Sequence, residues 1–375
     1  MSIATENTEN TPIALPAGAT LRPLELPARA DAGPTALIRE YAEVRNRSIL
    51  ETTGREDDFL TPEALLTGLR STAQRTRRQW YVERDGAVIG CAALDVLLDG
   101  AGDTAIMTVA VPQASAGQGI GRAVYEHVEA TARALGVTRL QHWAEHHDDA
   151  GTLPVLEAPT GFGSIPADRS AVFLERSGFT LEQVERASAL VWEAGTADHL
   201  RTLHAAARQH ASDYRIVSWS LPTPAEHRDG YAWLKSRMST DVPDAELGTP
   251  EEVWDAARVI EQDERIIRRG WSALVTAAQH IGTGELCAFN ELSIAADEPT
   301  RSTHQWDTLV LAEHRGHRLG MLVKTAGLLA WRERHPESPR VVTYNAEENR
   351  PMLSINEEIG FSPIAYEGAW KKELV

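Results

Sequence analysis

Two glycine-containing turns are the segments of this 375-residue chain whose residue types and spacing best fit binding chemistry. The first turn reads VPQASAGQGIG over residues 111–121, and the second reads VLAEHRGHRLG over residues 310–320. Each lies between an apolar run and a helical pattern. Glycines let backbone N–H groups point into a concave turn, and the N-terminus of the next helix adds partial positive charge. Together these features predict a cradle for an anion such as a pyrophosphate.

Two other phosphate-binding motifs fit these turns less well. Their spacing is not the G-x-x-x-x-G-K-[ST] of a Walker nucleoside triphosphatase. A dinucleotide-binding fingerprint would follow the first strand of a βαβ unit, whereas here several strands precede each turn. A turn that only caps a helix is the competing structural interpretation for either segment alone. It is less favoured for two segments in matching context.

The elements that must position the turns recur in both halves of the chain. The first half has predicted strands at 20–26, 79–82, 87–94, 106–111 and 139–143 and predicted helices at 34–53, 62–76 and 120–135. The second half has predicted strands at 214–220, 271–279, 285–294, 307–311 and 340–344 and predicted helices at 226–238, 250–269 and 319–333. Each half then closes with a short helix and a Gly-Phe pair, at 178–179 and 360–361. One domain plan is therefore used twice.

This recurrence predicts the domain boundaries. Residues 1–19 form a flexible tail, 20–195 an N-terminal domain, 196–212 a linker and 213–375 a C-terminal domain. The turns are 310 − 111 = 199 residues apart, and the Gly-Phe pairs are 360 − 178 = 182 residues apart. The first half therefore carries 17 extra residues, which we assign to the loop 144–168.

The two turns and the elements around them resemble those of the GCN5-related N-acetyltransferase (GNAT) superfamily. The family's acyl-CoA loop reads roughly V-x-P-x-x-[RQ]-x-x-G-x-[GA], and an Asn and a short helix ending in Gly-Phe follow it. In the second half, Val310, Arg315 and Gly320 match the loop, and Asn345 and Asn349 match the later landmark. The resemblance covers nearly the whole chain.

The match differs in detail between the halves. In the first half, Val111, Gly119 and Gly121 match the loop, but Ala116 replaces the Arg or Gln. In the second half, Arg318 stands where the middle glycine is usual, and we expect it to add a cation beside the phosphates.

The resemblance implies an α/β (α+β) fold of two consecutive GNAT-type domains, each a mixed, mostly antiparallel sheet flanked by helices. This layout is similar to that of mycothiol synthase and other tandem GNAT enzymes. The family's sheet splays between its fourth and fifth strands, where the pantetheine of acyl-CoA fits. It transfers acetyl directly from acetyl-CoA to a primary amine, without a metal or a covalent intermediate. Such catalysis relies on positioning and charge stabilisation.

The resemblance also implies which residues bind acyl-CoA. In the second half they are Leu309, Val310, Leu311, Arg315, Gly316, His317, Arg318, Leu319, Gly320, Asn345 and Asn349. In the first half they are Val109, Val111, Gly117, Gln118, Gly119, Ile120 and Gly121.

Proton transfer is less clearly indicated. The family commonly places a Tyr as general acid in the last short helix, and the equivalent positions are Leu174 and Asn356. Leucine offers no proton, whereas Asn356 can donate a hydrogen bond to a thiolate, with water as the eventual acid. Since the first half lacks an acid at this position, we expect catalysis mainly in the C-terminal domain.

Two carboxylates compete as general base. Asp307 lies on the strand before the second turn, where partial burial would raise its pKa and suit it to deprotonate an ammonium through water. Glu291 on the preceding strand is the other candidate, and Thr108 is the first-half counterpart of Asp307. The competing interpretation for each is an acid at a strand end that pairs with Arg or faces solvent.

Composition limits the partners. The net charge of −17 and the lack of a basic stripe argue against a nucleic-acid partner and favour a cationic small-molecule amine. Two isolated cysteines, Cys91 and Cys287, indicate neither a disulfide framework nor a CxxC metal site. The acidic and histidine-rich run 145–149 does not predict a metal site either, because successive residues rarely converge.

No apolar run approaches the roughly 18–20 residues of a membrane span, and the N-terminus does not resemble a signal peptide. We therefore expect no membrane partner, a cytoplasmic location, and a monomer or homodimer. The loss of the usual Tyr in both halves leaves a second function open. This is a non-catalytic acyl-CoA-binding protein with a regulatory or scaffold role.

Overall fold

The computed structural model of the chain describes residues 11–29, 31–146 and 152–374. The chain folds into two compact units. Unit 1 comprises Met1–Asp149, Pro166–Leu181 and Ala369–Val375, and unit 2 comprises Ala150–Ile165 and Glu182–Gly368. Each contains a mixed, mostly antiparallel sheet with helices, which confirms the fold class expected from the sequence.

Unit 1 contains the first six strands and four helices of the chain. The strands are β1 (Ile13–Ala14), β2 (Thr20–Pro23), β3 (Arg75–Arg84), β4 (Ala87–Leu97), β5 (Thr104–Ala110) and β6 (Arg139–His146). The helices are α1 (Ala36–Thr53), α2 (Pro62–Leu69), α3 (Ile120–Ala134) and α4 (Arg169–Arg176). The strands lie in the order β1-β2-β3-β4-β5-β6, and all neighbours are antiparallel except the parallel pair β5–β6.

The insertion of the first half contains two short strands, β7 (Val155–Glu157) and β8 (Ser164–Pro166), which pair with each other. Part of it, residues 147–151, lies outside the described residues.

Unit 2 repeats this plan. Its strands are β9 (Thr180–Val191), β10 (Tyr214–Ser220), β11 (Trp271–His280), β12 (Leu286–Ala295), β13 (Thr303–Val310) and β14 (Arg340–Ala346), and β15 (Ser362–Glu373) ends the chain. Its helices are α5 (Thr196–Arg208), α6 (Ala225–Asp241), α7 (Ala256–Arg268), α8 (Leu319–Arg334) and α9 (Arg350–Ile359). The strands lie in the order β9-β14-β13-β12-β11-β10, with β13–β14 as the parallel pair.

The helix that follows each glycine turn anchors the turn to its core. In α3, Val124, Val128 and Ala132 are fully buried at helical spacing. In α8, Leu322, Val323 and several neighbours belong to the main core of unit 2. Burying such side chains contributes about 1.5–3 kcal/mol each, so both turns are attached to rigid elements.

Several predicted elements differ from the structure. The helix predicted over 62–76 ends at Leu69, and β3 begins at Arg75, because Arg75–Gln79 pair with β4 and complete that sheet. The helix predicted over 250–269 begins only at Ala256, where the Asp255 side chain caps it by accepting from Arg258 N–H.

The expected linker and tail also differ. Residues 196–208 of the linker form α5, whose Leu200 and Ala207 are fully buried in the core of unit 2. Of the expected tail, residues 13–14 form β1 and residues 16–18 form a 3-10 turn, while residues 1–10 lie outside the described residues. The compact units differ from the sequence division in three further segments: residues 150–165 and 182–195 belong to unit 2, and residues 369–375 belong to unit 1. Among the described helices, none is long and apolar enough to cross a membrane.

Candidate functional site

A gap opens between the parallel strands of each unit. In unit 1, β5 and β6 pair only from Thr104↔Arg139 to Ile106↔Gln141, although both strands continue. In unit 2, β13 and β14 pair only at Thr303↔Val341 and His304↔Val342. Each sheet therefore splays toward the glycine turn that follows β5 or β13, as the resemblance to the family implied.

The two turns follow the same backbone path. Gly117 and Gly119 have φ of 72° and 79°, and their counterparts Gly316 and Arg318 have φ of 85° and 55°. In each unit the next residue starts the helix, and the N-cap side chain makes no hydrogen bond to it. The first-turn amides of α3 and α8 therefore lack a side-chain cap, which suits them to bind an anion.

In unit 1 the gap is an open cavity of about 310 Å³. Its walls combine apolar residues of β5 and α4 with the glycine turn, and Arg122 and Arg169 add positive charge. Five of the predicted cofactor residues line it, namely Val109, Val111, Gly117, Gly119 and Gly121. The other two predicted residues, Gln118 and Ile120, are not among the residues that line the cavity. The Gln118 side chain accepts from Arg84, and the Ile120 side chain is buried in the core.

His142 also lines this cavity, and the sequence analysis did not identify it. Its Nδ1 lies 2.9 Å from Met107 O, just beyond the last backbone pair of β5 and β6. A carbonyl only accepts, so Nδ1 carries the proton and Nε2 carries the lone pair. Burial lowers the pKa of His142, which favours the neutral ring. A histidine on a strand gives no signal in sequence that it bridges a splayed pair.

In unit 2 both predicted carboxylates lie at an irregularity of the sheet. Asn290 pairs with Thr308 and Leu292 with Gln305, so Glu291 alone opposes two residues, Trp306 and Asp307. This is a β-bulge, and it turns both carboxylates toward α6. Glu291 is buried, whereas the Asp307 side chain is 32% exposed.

Two residues of α6 hold these carboxylates. The Tyr231 hydroxyl donates to Glu291 Oε1, and Lys235 Nζ donates to Glu291 Oε2 at 3.2 Å. Lys235 also pairs with Asp307 and lies 5.2 Å from the centre of the Trp254 ring. Burial, and then the negative charge of Asp307, raise the pKa of Glu291 well above its ordinary value. Glu291, the second of the two predicted base candidates, thus combines burial with a raised pKa.

The sequence analysis missed Tyr231 and Lys235, although a signal was present. Residues 231–235 read YAWLK, and residues 41–45 of the first half read YAEVR. In unit 1 the Tyr41 hydroxyl donates instead to the backbone Ala92 O at 3.2 Å. At the 199-residue offset Thr308 corresponds to Val109. Thr308 pairs with Asn290 in unit 2, and Val109 pairs with Ala92 in unit 1. The next residue of unit 1, Ala93, therefore occupies the position that Glu291 has in unit 2. The β4–β5 register there runs without a shift.

A buried polar chain lies beside the gap of unit 2. Lys324 Nζ on α8 donates to Asn356 Oδ1 at 2.9 Å, and Asn356 Nδ2 donates to Asn345 Oδ1 at 2.7 Å. Lys324 is 1% exposed, and its burial lowers its pKa to about 7. The structure thus brings together Asn345 of the second landmark and Asn356, the position at which the family has its Tyr. Lys324 was not predicted.

The other predicted residues of unit 2 have defined surroundings. Arg315 Nε donates to Val310 O at 3.3 Å, and Arg318 Nη2 lies 3.6 Å from Glu358 Oε1. Asn349 accepts from Met352 N–H and caps α9.

Three predicted leucines, Leu309, Leu311 and Leu319, are buried. Leu311 N–H donates to Cys287 O at 3.0 Å. The ring of His317 lies against Tyr214, and both Gly316 and Gly320 lie in the turn.

Part of the run 145–149 can be described. Glu145 pairs with Arg55, and His146 Nδ1 lies 3.0 Å from Asp168 Oδ2. The two neighbours thus face different partners. His147, Asp148 and Asp149 lie outside the described residues.

Comparison with known proteins adds to this geometry. Residues 43–162 match the model of the acetyltransferase (GNAT) family. An amino-acid acetyltransferase of Azotobacter vinelandii is 30% identical over 156 residues, which is 38% of this chain and 34% of that protein. One of Pseudomonas syringae pv. syringae is 33% identical over 126 residues, 30% of this chain and 29% of that protein. The chain thus spans about a third of the length of these curated relatives.

Solved structures match over nearly the whole chain. A tandem GNAT protein from the clavulanic acid biosynthesis pathway covers 95% of this chain and 98% of its own, with a TM-score of 0.72 and 24% identity. A GCN5-related N-acetyltransferase from Sphaerobacter thermophilus covers 93% of this chain and 97% of its own, with a TM-score of 0.55 and 15% identity. At these identities the likeness establishes the fold. It is that of two GNAT domains in tandem.

Proposed function

We propose that the chain is a GNAT enzyme, an acyl-CoA-dependent N-acyltransferase that moves acetyl from acetyl-CoA to a primary amine of a small molecule. We assign catalysis mainly to unit 2. The observation that carries this assignment is the buried Glu291 beside Asp307, at the bulge of the strand that splays from β14. The equivalent positions of unit 1 are Ala93 and Thr108, which offer no base.

Glu291 is the proposed general base. An amine arrives as ammonium, and it attacks the thioester carbonyl only after losing a proton. A carboxylate with a raised pKa accepts that proton near neutral pH more readily than an ordinary one. Lys235 and Tyr231 hold the carboxylate in place, and the partly exposed Asp307 offers a route for the proton to solvent.

Val310 is the proposed amide donor to the acyl-CoA. Leu311 N–H points toward β12, where it donates to Cys287 O. Since N–H groups alternate along a strand, the N–H of Val310 points to the opposite edge, toward the gap. There it can bind the thioester oxygen or the pantetheine. The amides that start α8 and the Arg318 guanidinium would bind the pyrophosphate.

Asn356 is the proposed hydrogen-bond donor to the leaving thiolate, and Lys324 or water is the proposed source of the proton. The family's Tyr position is Asn356, and Lys324 lies directly behind it at hydrogen-bond distance. Burial lowers the pKa of Lys324 to about 7, so its ammonium gives up a proton at neutral pH more readily than that of an ordinary lysine. Attack forms the C–N bond, collapse breaks the C–S bond, and the thiolate, to which Asn356 donates a hydrogen bond, takes its proton from Lys324 or water. One proton is released per ammonium acylated.

Unit 1 is proposed to bind acyl-CoA without being the main catalytic centre. Its open cavity, glycine turn and two arginines support binding. Leu174 at the acid position and Ala93 at the base position argue against efficient turnover there. His142 is the one neutral base in the cavity wall, so its substitution tests this division of roles.

The acceptor is proposed at the level of a class. The relatives are amino-acid acetyltransferases, which supports α-amino acids as a first panel of acceptors. The acidic chain supports polyamines and aminoglycosides as a second panel, since charge steers association. Release of free CoA from acetyl-CoA, followed with a thiol reagent, measures the rate of acylation of each amine in both panels.

The decisive experiment compares Glu291→Gln with His142→Gln at saturating acetyl-CoA. Gln keeps the size of each site but removes the base. We expect kcat to fall by about 10²–10⁴ for Glu291→Gln and to stay within a factor of a few for His142→Gln. The reverse result would move catalysis to unit 1. Tight acyl-CoA binding without turnover of any amine would favour the non-catalytic alternative.

Calorimetry tests the binding sites. We expect two acetyl-CoA molecules per chain in the wild type. A Cβ at Gly121 meets its nearest neighbour, Val111, at 3.8 Å, so Gly121→Trp should fill the cavity of unit 1 and leave one site. Gly320→Trp should remove the other site together with the activity. Activity lost only with Gly121→Trp would contradict the assignment to unit 2.

A further inference from the structure

A mixed cluster of metal-binding side chains lies in unit 2, apart from the groups assigned to the reaction. Glu285 precedes β12 and Cys287 lies two residues later, so both side chains lie on one face of the chain. His314 ends the 3-10 turn Ala312–His314. A carboxylate oxygen, the thiol sulfur and an imidazole nitrogen of these three residues all lie within 4.8 Å of one another.

The histidine is oriented toward the other two residues. Tyr214 Oη lies 2.8 Å from His314 Nδ1, and His314 Nε2 lies 3.8 Å from Glu285 Oε2. With Nδ1 donating to the phenol oxygen, Nε2 presents a lone pair to the cluster. Metal-bound histidines typically have such a partner on their second nitrogen, which fixes the tautomer and the ring orientation.

We propose that Glu285, Cys287 and His314 form a binding site for a divalent transition-metal ion, and that zinc is the best match. Thiolate, imidazole and carboxylate are the ligands that zinc accepts, whereas calcium and magnesium require oxygen ligands. Zn–ligand bonds of about 2.0–2.3 Å place tetrahedral ligand atoms roughly 3.3–3.8 Å apart. The exposed Glu285 side chain needs only a small movement to reach that spacing, and water fills the fourth position. The thiol proton passes to solvent on binding.

An ion at this site would connect two segments of unit 2. Leu311 N–H already ties the start of the turn to Cys287 O at 3.0 Å. An ion held by His314 and Cys287 adds a second link between β12 and the segment that leads into the glycine turn. We therefore expect the ion to raise the thermal stability of unit 2, because anything that binds only the native state stabilises it.

Zinc titration of the full chain, stripped of metal by a chelator, tests the proposal. We expect saturable binding of one ion per chain, counted by elemental analysis after dialysis, and a rise in the melting temperature. Cys287→Ser should weaken binding at least tenfold, whereas the matched variant of the other buried cysteine, Cys91→Ser, should bind as the wild type does. Tyr214→Phe should weaken binding by about 10–100-fold.

Cobalt substitution gives a readout that does not depend on stability. A thiolate ligand produces a sulfur-to-cobalt charge-transfer band, which Cys91→Ser should keep and Cys287→Ser should lose. Glu285→Gln changes an exposed side chain and leaves the fold intact, so it tests the site even if Cys287→Ser unfolds. Absence of saturable zinc binding would overturn the proposal. So would binding that Cys287→Ser and Glu285→Gln both leave unchanged, which would indicate an adventitious ion only.

Discussion

Replacing Lys324 with methionine should change the stability of unit 2 in a direction that depends on pH. Burial lowers the pKa of Lys324 from 10.5 in the unfolded chain to about 7 in the folded one. Between these values the unfolded state binds a proton that the folded state does not, so wild-type stability rises as pH increases. Below about pH 7 both states are protonated and the full cost of burying the charge applies.

The magnitude follows from the shift. About 3.5 pKa units at 1.36 kcal/mol each give a cost of roughly 4–5 kcal/mol near pH 7, which vanishes near pH 10.5. Methionine removes this cost but leaves Asn356 Oδ1 without the donor it now has, which costs about 1–3 kcal/mol. Lys324→Met should therefore be more stable than the wild type by about 1–4 kcal/mol near pH 7 and less stable near pH 10.5.

Hydrogen exchange measures this on α8 itself, since a chain of two units need not unfold in one step. Exchange of peptide 319–334 in increasing urea gives the opening free energy of that helix for both proteins at each pH. All other titrations cancel in the difference between variant and wild type. A difference that stays constant with pH, or a variant that is already less stable near pH 7, would refute a buried lysine with a lowered pKa.

Three further predictions concern other groups. Tyr231→Phe removes a donor to a buried carboxylate, so the acid limb of the pH–activity profile should move to higher pH, whereas the matched Tyr41→Phe of unit 1 should leave the profile unchanged. Cys91 and Cys287, whose pKa values burial raises to about 12 and about 11, should resist iodoacetamide at neutral pH in the native protein and react after unfolding, as mass spectrometry would show. Arg318→Gly relieves a left-handed backbone and should stabilise the chain by about 1 kcal/mol, yet weaken acetyl-CoA binding in calorimetry; equal or tighter binding would contradict its role as a cation.

The parts of the fold that depend on local signals were predictable from the sequence. The two turns, the helices after them and both hairpins lie where the apolar periodicity and the glycines indicated. The segment that forms α5 was taken as part of a linker that starts helical and then turns polar, although Leu200 and Ala207 are fully buried. Its place in the core depends on α8, which is far away in sequence.

The chemistry of the site depended on tertiary structure and was harder to predict. A bulge is a property of two paired strands, so the meeting of Glu291 with Asp307 leaves no local pattern. Lys324 lies among apolar residues in the first half of α8, where a lone lysine reads as surface-exposed, and its hydrogen-bond partner Asn356 lies on α9. Tyr231 and Lys235 were detectable, because YAWLK repeats the YAEVR of the first half.

A fold used twice lets each unit serve as a control for the other. The splay, the turn and the helix after it are shared, so differences at equivalent positions report what each unit adds. At the 199-residue offset Lys324 corresponds to Tyr125, whose hydroxyl donates to Glu129 Oε2 and accepts from Lys372. That tyrosine is held by contacts within unit 1, whereas Lys324 donates to Asn356 in unit 2. Unit 1 thus has the open cavity, whereas unit 2 has the buried Glu291 and the pair of Lys324 with Asn356, which is why we propose that turnover occurs in unit 2.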